Sequence, residues 1–409
     1  MKKEYELKTK EISISIKKII DEATIFDLHT HLFPPEHKAY YLSGLTAILN
    51  YHYLIAELLS STQISAKDFY LLDDNQKANL IWDELFLKRT PMSEACQGVL
   101  TILSNFSIST NRKTFKDVNK ELKQLNFSDQ DILNKSKVES LVMTNNPFDD
   151  EEWSLFKNEN WDRKKYRASL RLDSLISEFD KCLSIAKKNS SDKQDGLEGI
   201  LQYLDICYQK ANPVYAAISL NGHQLEGLIN NKFWSGILKW LELKKLPLSL
   251  MLGVKRAVNK NFDQAGDGIG YVNLKNLSEL CVKFPNNKFL TTCLSLNDQH
   301  ELTVLSRKHP NLTIFGFWWF MNQPSIIEPV LKMRIDLLGL SFIPQHSDAR
   351  ITDQLIYKWF NFKSVLKKVM TEYYLKLQLN NFPITEEIIY RDITNLLKSN
   401  AVNFLNIEN

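Results

Sequence analysis

Short apolar runs recur along the chain, each ending in polar or glycine residues and separated by stretches whose apolar positions have helical spacing. Such runs predict parallel strands buried on both faces, because the helices of alternating βα units cover the sheet. Eight strands in βα alternation are what a closed barrel needs, so the pattern favours a (β/α)8 barrel over an open sheet. The eight runs lie at 24–29, 139–145, 166–173, 214–221, 246–254, 288–295, 312–320 and 338–348.

The first two runs are separated by about 110 residues, far more than a βα loop requires. The intervening segment is rich in leucine, glutamate and lysine at helical spacing, which predicts a helical insertion packed over the barrel mouth. We therefore divide the chain into an N-terminal helix with the first strand (1–39), the helical insertion (40–136), and the rest of the barrel with C-terminal helices (137–409).

Composition narrows the range of partners. The chain has 409 residues, 44% of them hydrophobic, and 51 lysines and arginines nearly balance 48 aspartates and glutamates. The net charge of +3 gives no general field for nucleic acid or anionic lipid, and no apolar run approaches the roughly 18 residues that span a bilayer. The five cysteines form no CxxC pair, which predicts unpaired, buried thiols in a reducing compartment, the cytoplasm.

The first candidate for chemistry is the His-x-His at the end of the first predicted strand, in the segment DLHTHLF. Alternate side chains of a strand share one face, so His29 and His31 can point into the barrel mouth and hold one metal ion. The alternative is two partly buried histidines in hydrogen bonds. Catalytic residues of barrel enzymes lie at the carboxyl ends of the strands, which favours the metal site.

The second candidate is Asp348, at the end of the last predicted strand. In a closed barrel the last strand is hydrogen-bonded to the first, so Asp348 would lie beside His29 and His31, where a carboxylate can bind the metal or move a proton. The alternative role for Asp348 is a helix N-cap.

Several segments together resemble a known family. The segments DLHTHLF, NYHYLIAE (50–57), LRLD (170–173), FGFWWF (315–320) and SDAR (347–350) occur in the order found in the uronate isomerases of the amidohydrolase superfamily, especially their shorter, divergent branch. The resemblance runs from about residue 20 onward. It implies a (β/α)8 barrel of the amidohydrolase type.

The resemblance also implies an activity and a set of site residues. The activity is interconversion of D-glucuronate with D-fructuronate, and of D-galacturonate with D-tagaturonate. By similarity, His29, His31 and Asp348 bind one divalent metal ion, zinc, and the protein forms homo-oligomers, although no feature of the sequence shows an oligomer. Four further residues are implied to lie at the substrate: His52 and Tyr53 near the open-chain sugar, and Arg171 and Arg350 at its anionic groups.

These residue types suit aldose–ketose chemistry. Asp348 can remove the C2 proton while a metal polarises substrate oxygens and steadies the cis-enediol, and Tyr53 can carry the proton between O1 and O2. An arginine fork binds a carboxylate through two parallel hydrogen bonds, although each arginine alone could equally form a structural ion pair. Either Trp318 or Trp319 is expected to line the pocket and the other to be core, because successive strand residues point opposite ways.

The sequence also departs from the broader amidohydrolase pattern. Met251 stands where a histidine falls near the end of the fifth strand, and the sixth strand, TTCLS, lacks the histidine that many hydrolases of this fold use. Both departures argue against a second metal and against hydrolysis. His346, which precedes Asp348 by two residues, is expected to face solvent or to lie behind the site.

Two other functions stay open at this point. A metal-dependent hydrolase acting on an amide or lactone would use the same histidines and aspartate to activate water. A barrel that senses a sugar acid without turning it over would bind the ligand saturably and give no product. Tyr53 and the missing histidines favour the isomerase over the hydrolase, and the intact set of His29, His31, Asp348 and Arg350 argues against the sensor.

Overall fold

The barrel strands are short and buried on both faces. The computed structural model describes residues 7–158, 161–190 and 194–407. Every residue of the first strand is buried, as the coverage of parallel strands by helices requires. The strands are β1 Ile25–Thr30, β2 Val138–Met143, β3 Tyr166–Arg167, β4 Leu170–Arg171, β5 Ala216–Leu220, β6 Leu248–Leu252, β7 Val254–Lys255, β8 Gly268–Ile269, β9 Phe289–Cys293 and β10 Leu312–Ile314.

Parallel pairing arranges these strands around a closed barrel. The orders β1–β2–β3 and β4–β5–β6–β9–β10 are joined by a bridge between Asn145 and Leu170. On the other side Phe315 bridges Ile343, and the backbone N–H of Asp348 donates to the carbonyl of His29 at 3.1 Å. Eight strand positions therefore follow one another around the barrel, and the last is hydrogen-bonded to the first. The predicted (β/α)8 barrel is confirmed.

Two of the eight predicted strands are less regular than expected. The third is split into β3 and β4, because the chain changes partners there: Ser169 N donates to Met143 O and Leu170 N to Tyr215 O. The eighth, at 338–348, forms only the single bridge at Ile343. Pro344 has no N–H for a ladder, and the N–H of Ser347 donates to a side chain, that of Asp27, at 3.0 Å.

The sequence pattern did not predict an antiparallel hairpin, β7 with β8, that follows β6. Val254 pairs with Ile269 and Lys255 with Gly268. The hairpin starts within the run predicted as the fifth strand, because Gly253, with φ of +94°, turns the chain out of the barrel. It carries Arg256 to the barrel mouth.

Helices cover the barrel and form the insertion. Between β1 and β2 the structure has seven α-helices, in the segment predicted as a helical insertion; the three-part division itself stays a prediction, and residues 1–6 and 408–409 of its end segments lie outside the described residues. The α-helices are α1 Thr9–Glu22, α2 Leu45–Leu49, α3 His52–Ser61, α4 Ala66–Tyr70, α5 Asp74–Trp82, α6 Glu94–Asn105, α7 Phe115–Gln124, α8 Asp129–Ser136, α9 Asp150–Trp153, α10 Leu155–Asn158, α11 Ser174–Ser177, α12 Phe179–Asn189, α13 Gly196–Ala211, α14 Gly222–Asn230, α15 Lys232–Leu243, α16 Leu274–Lys283, α17 Gln299–Lys308, α18 Pro324–Leu338, α19 Gln354–Leu379, α20 Glu386–Thr394 and α21 Asn400–Phe404.

The insertion packs on the long helix α19. A Cβ atom built on Gly98, in α6, would lie 2.8 Å from the ring of Tyr357 in α19, so the absence of a side chain at Gly98 lets the two helices approach. The same hydrophobic core contains residues of the insertion, such as Trp82, and residues of the barrel, such as Phe289. The insertion is therefore part of the barrel's core rather than a separate unit.

The remaining features concern the chain as a whole. All five cysteines are buried and unpaired. Among the described residues no helix is both long and apolar enough to cross a membrane.

Candidate active site

Three side chains with metal-ligand chemistry meet at the carboxyl end of the barrel. His29 lies in β1 and His31 directly follows its last residue, and alternate side chains of this extended segment share one face. Their Nε2 atoms lie 3.7 Å and 3.4 Å from Oδ1 of Asp348, and one ligand atom from each residue lies within 4.8 Å of the others. The structure brings the three predicted metal ligands together.

The backbone between the last barrel position and α19 aims the aspartate. Asp348 has a φ of +52°, in the left-handed region, and its N–H bonds to His29 O. The N–H of His31 in turn donates to Ala349 O at 2.8 Å. These two hydrogen bonds close the barrel and set Asp348 opposite the histidines. The contacts that close the barrel therefore also assemble the site.

A tyrosine behind His29 selects the tautomer of that imidazole. The hydroxyl of Tyr215 donates its one proton to Leu28 O at 3.0 Å, and Nδ1 of His29 lies 3.0 Å from the same hydroxyl oxygen. Because the hydroxyl proton is already used, Nδ1 of His29 must carry the ring proton and donate. Nε2 is then left with a free lone pair facing Asp348.

Thr144 holds His31 in the same way. Its hydroxyl donates to Thr30 O, and Nδ1 of His31 lies 3.4 Å from the hydroxyl oxygen. The ring proton of His31 therefore also sits on Nδ1, and its Nε2 is available to a ligand.

Electrostatics keep both imidazoles neutral. Burial lowers the pKa of His29 to about 3, with a further contribution from His31. Burial, followed by the positive charges of Arg350 and Arg171, holds the pKa of His31 well below its usual value. Neutral imidazole is the form that binds a metal.

The residues fit a divalent cation. Nε2 of His29 and Oδ1 of Asp348 are buried and have no hydrogen-bond partner among the described residues. Buried polar atoms are costly unless they are paired, so two such atoms facing each other beside a third ligand indicate a missing positive charge. Two neutral imidazoles and a carboxylate form a ligand set for a metal such as zinc.

Both predicted arginines line the cavity above this cluster. This inner pocket, defined by His29, His31, Asp348, Arg171 and Arg350, has a volume of about 30 Å³. Arg171 ends β4, and its Nε donates to Asp173 at 3.1 Å. Asp173 raises the pKa of Arg171, so its guanidinium stays charged.

Trp318 and Trp319 both line the inner pocket and are both buried in one hydrophobic core, so the two do not divide between pocket and core as expected. Strand alternation does not apply to them, because β10 ends at Ile314 and Trp319, with φ of +48°, begins a 3₁₀ turn. Met251 also lines this pocket.

His52 and Tyr53 lie at the start of α3. His52 lines the inner pocket, and its ring centroid is 5.4 Å from that of Trp319. The side chain of Tyr53 lines a neighbouring cavity of about 210 Å³ instead, together with Glu94. The hydroxyl of Tyr53 is buried without a partner among the described residues, and burial and the neighbouring Tyr51 hold its pKa well above the usual value. Tyr53 is therefore a neutral phenol beside the inner pocket rather than in its wall.

A buried lysine lies against Tyr53. Lys358, in α19, is 2% exposed, and its Nζ lies 5.3 Å from the ring centre of Tyr53 and 5.2 Å from that of Tyr357. Burial raises the pKa of Glu94, and the charge of Lys358 opposes this rise. The ammonium thus stands between two aromatic faces and near one carboxyl group.

His346 is more buried than the sequence indicated. It is fully buried, both of its ring nitrogens lack a partner among the described residues, and its ring centroid lies 5.4 Å from that of His29. It packs on Gly316, where an added Cβ would lie 1.7 Å from Nδ1 of His346. The expectation of a position behind the site is confirmed, and that of a solvent-facing side chain is wrong.

A larger cavity opens beside the inner pocket. This outer cleft, defined by Arg171, Ser177, His223, Arg256 and Tyr271, has a volume of about 780 Å³. Arg171 and Arg256 line both cavities, as do Asp173 and Ser219.

Sequence reasoning missed Tyr215, Thr144 and Arg256. One signal was available for Tyr215: it directly precedes β5 and stands two and four residues before Ala217 and Ser219, which line the inner pocket, so alternation places all three on the barrel-facing side. Arg256 could not have been found, because the hairpin that carries it was not predicted.

A (β/α)8 barrel with two histidines at the end of its first strand, and an aspartate facing them from the end of the last barrel position, is a barrel enzyme with a candidate metal centre. A solved uronate isomerase from Bacillus halodurans is 34% identical to this chain, covers 98% of each chain and superposes with a TM-score of 0.92. The chain belongs to the uronate isomerase family.

Two more distant structures share the fold. A uronate isomerase from Thermotoga maritima is 14% identical over 97% of each chain, with a TM-score of 0.76. A glucuronate isomerase from Caulobacter crescentus is 13% identical over 98% of this chain and 95% of its own, with a TM-score of 0.77. At these identities the likeness concerns the fold alone. No protein-family model and no curated protein matches the sequence.

Proposed function

We propose that this uronate isomerase interconverts D-glucuronate with D-fructuronate, and D-galacturonate with D-tagaturonate. The observation that carries the proposal is the convergence of His29, His31 and Asp348 beneath two arginines, in a chain of this family. The resident cofactor is one divalent cation, zinc, held by the same three residues.

Asp348 is the proton-transfer base of the proposal. Its carboxylate lies at the floor of the inner pocket and can take the proton from C2 and return it to C1. A bound cation supplies positive charge that polarises the substrate oxygens. The two indoles and buried histidines around Asp348 keep bulk water from the proton in transit.

Tyr53 and the arginines complete the proposed machinery. Tyr53 is a neutral phenol, the form that can donate a proton and take another back, and we assign it the exchange between O1 and O2. This role requires its hydroxyl to reach the substrate from the cavity beside the inner pocket. Arg171 and Arg350 bind the anionic groups of the open-chain sugar, and His52, Trp318 and Trp319 contact the sugar itself.

The test is an assay of ketose formation with D-glucuronate and D-galacturonate, with metal content measured in every sample. We expect zinc-loaded protein to convert at least one of them, Asp348→Asn to reduce kcat by roughly 10²–10⁴-fold, and deuterium at C2 to slow turnover. Asp392→Asn, which changes another buried aspartate, bonded to Tyr374 far from the cluster, is the control and keeps full activity.

The outcome distinguishes this proposal from its rivals. Turnover of neither sugar acid by metal-loaded protein would contradict the isomerase, and hydrolysis of a lactone or amide that stops in Asp348→Asn would then favour a hydrolase.

Cytoplasmic location is proposed on the five unpaired thiols. Assembly into a homo-oligomer stays a prediction, which sedimentation equilibrium tests.

A further inference from the structure

The outer cleft has room for more than the distal end of one sugar acid. Its volume of about 780 Å³ lies in the range of roughly 300–1,000 Å³ that holds drug-sized ligands. The inner pocket, of about 30 Å³, is far smaller. A uronate reacting at Asp348 must therefore extend past Arg171 and Arg256 into the outer cleft, and most of that cleft remains open beyond it.

The charges around the outer cleft favour an anion. Arg171, Lys255 and Arg256 line it, against the single carboxylate of Asp173. Both oxygens of Asp173 are already engaged, one by Nε of Arg171 at 3.1 Å and the other by the N–H of Ser219 at 3.1 Å. Arg256 pairs with Asp267, the residue before β8, but Lys255 is exposed, and no ion pair involving it is present among the described residues.

The outer cleft also presents an aromatic face. Tyr271 lines it and is 75% exposed. Its backbone is held close to the start of α14, because a Cβ on Gly222 would lie 2.3 Å from the carbonyl oxygen of Tyr271. Ser177 and His223 add polar groups nearby. A fixed, exposed aromatic ring beside cations and hydroxyl groups is a surface for a sugar acid.

We propose that the outer cleft is a subsite for a second uronate residue, so that the enzyme binds short 4-linked oligouronides by their reducing end. The inference rests on the proposed function, because the reducing-end unit reacts at Asp348 as a free uronate would. Tyr271 packs on the ring of the second unit, and Lys255 and Arg256 meet its carboxylate.

The chemistry needs no additional reactant. The reducing-end unit of a 4-linked oligomer keeps a free O5, so its ring opens to the aldehyde. One proton moves from C2 to C1 and one from O2 to O1, and the C=O bond passes from C1 to C2. The glycosidic bond is neither formed nor broken, and the product is the same oligomer with a ketose at its reducing end.

The experiment compares D-galacturonate with 4-linked digalacturonate on zinc-loaded protein. We expect kcat/KM for the dimer to fall within about tenfold of the value for the monomer. Tyr271→Ala is expected to lower kcat/KM for the dimer about fivefold and to leave the monomer unchanged. Tyr390→Ala, which removes another exposed tyrosine, 62% exposed and on α20, is the matched control and changes neither value.

Charge is tested with the dimer methyl-esterified on its non-reducing unit. Lys255→Met should lower kcat/KM for the free acid severalfold and leave that for the ester unchanged. Conversion of the monomer with neither conversion of the dimer nor competition by it would overturn the subsite, as would a dimer equally well used by Tyr271→Ala. If neither sugar is converted, the proposed function has failed. Equilibrium binding of the dimer, with and without Tyr271→Ala, then decides the subsite separately.

Discussion

At the scale of single residues, the candidate metal site depends on two hydroxyl groups that hydrogen-bond the Nδ1 atoms of its histidines. The hydroxyls of Tyr215 and Thr144 accept hydrogen bonds from Nδ1 of His29 and His31. Each hydroxyl donates its own proton to a backbone carbonyl of β1. Both imidazoles therefore keep Nε2 for a ligand without any change of protonation. Such outer contacts tune metal affinity.

Removal of the Tyr215 hydroxyl should weaken the metal site. We expect Tyr215→Phe to lower zinc affinity by about 10–100-fold, because Nδ1 of His29 loses its acceptor and the ring loses its orientation. Competition with a chromophoric chelator measures this. Tyr203→Phe, which removes a buried hydroxyl bonded to Pro147 O, is the control. Equal affinities in the two variants would contradict the assignment.

A side chain at Gly316 should disrupt the packing around His346. Gly316 and Gly339 have nearly the same φ, +63° and +61°, but only at Gly316 would a Cβ meet another atom, 1.7 Å from His346. We expect Gly339→Ala to cost roughly 1–2 kcal/mol of unfolding free energy through the left-handed backbone alone. Gly316→Ala should cost about 1–3 kcal/mol more through overpacking.

Urea unfolding of the two variants measures the difference. Equal losses would show that His346 moves away at no cost. Metal affinity should fall only in Gly316→Ala, since His346 packs on the ring of His29.

At the scale of elements, α19 connects the insertion, the barrel and the site. Its Trp359 donates to Asp27 of β1 at 2.9 Å, Tyr357 packs against Gly98 of α6, and two buried lysines lie one and a half turns apart. Lys358 contacts Tyr53. Nζ of Lys363 instead donates to Ala23 O at 3.3 Å, in the segment between α1 and β1.

The two lysines should differ in their effect on catalysis. Lys358→Met removes the ammonium from the face of Tyr53, and a desolvated cation–π contact is worth about 2 kcal/mol. We expect kcat to fall about tenfold with little change in KM, because Tyr53 loses its position. Lys363→Met should leave kcat unchanged. The same steady-state constants for both variants would contradict a role of Lys358 at the site.

Lys363 should instead make stability depend on pH. Burial lowers its pKa from 10.5 to about 8 in the folded protein. Between these values the unfolded chain holds a proton that the folded protein has released, so this lysine's penalty to stability is full below pH 8 and fades as pH rises.

The comparison is between the wild type and Lys363→Met in urea from pH 7 to 10. The stability of the variant relative to the wild type is expected to fall across this range, by an amount on the order of 2 kcal/mol. A difference that does not vary with pH would mean that the lysine titrates normally.

At the scale of the whole molecule, the candidate metal ligands come from opposite ends of the chain. His29 lies in β1, His31 directly follows β1, and Asp348 follows the last barrel position, so the three meet only in the closed barrel. A cation bound there would link the first and last positions of the barrel and stabilise the folded state relative to the unfolded chain.

Zinc should therefore raise stability with the logarithm of its free concentration once that concentration exceeds Kd. At a free concentration of 100 times Kd we expect the unfolding free energy to rise by about 2.7 kcal/mol. A chelator should remove the gain. His31→Ala is the control and should show little response, and a response equal to that of the wild type would place the metal elsewhere.

The sequence alone was sufficient for the barrel and for the ligand residues. Buried strands such as β6 and β9 are specified by local apolar runs, and His29 and His31 are two residues apart on one strand, so their common face follows from backbone geometry. Asp348 could be placed opposite them because closure of a barrel makes its first and last positions neighbours.

Only the tertiary structure decided the surroundings of those ligands. The tautomers depend on Tyr215 and Thr144, which are distant in sequence from the histidines that they orient. Trp319 enters the inner pocket through a left-handed turn, and Arg256 through a hairpin that the apolar pattern did not predict. Periodicity reports which face of a regular element is buried, but it carries no information about irregular backbone or about contacts between residues far apart in the chain.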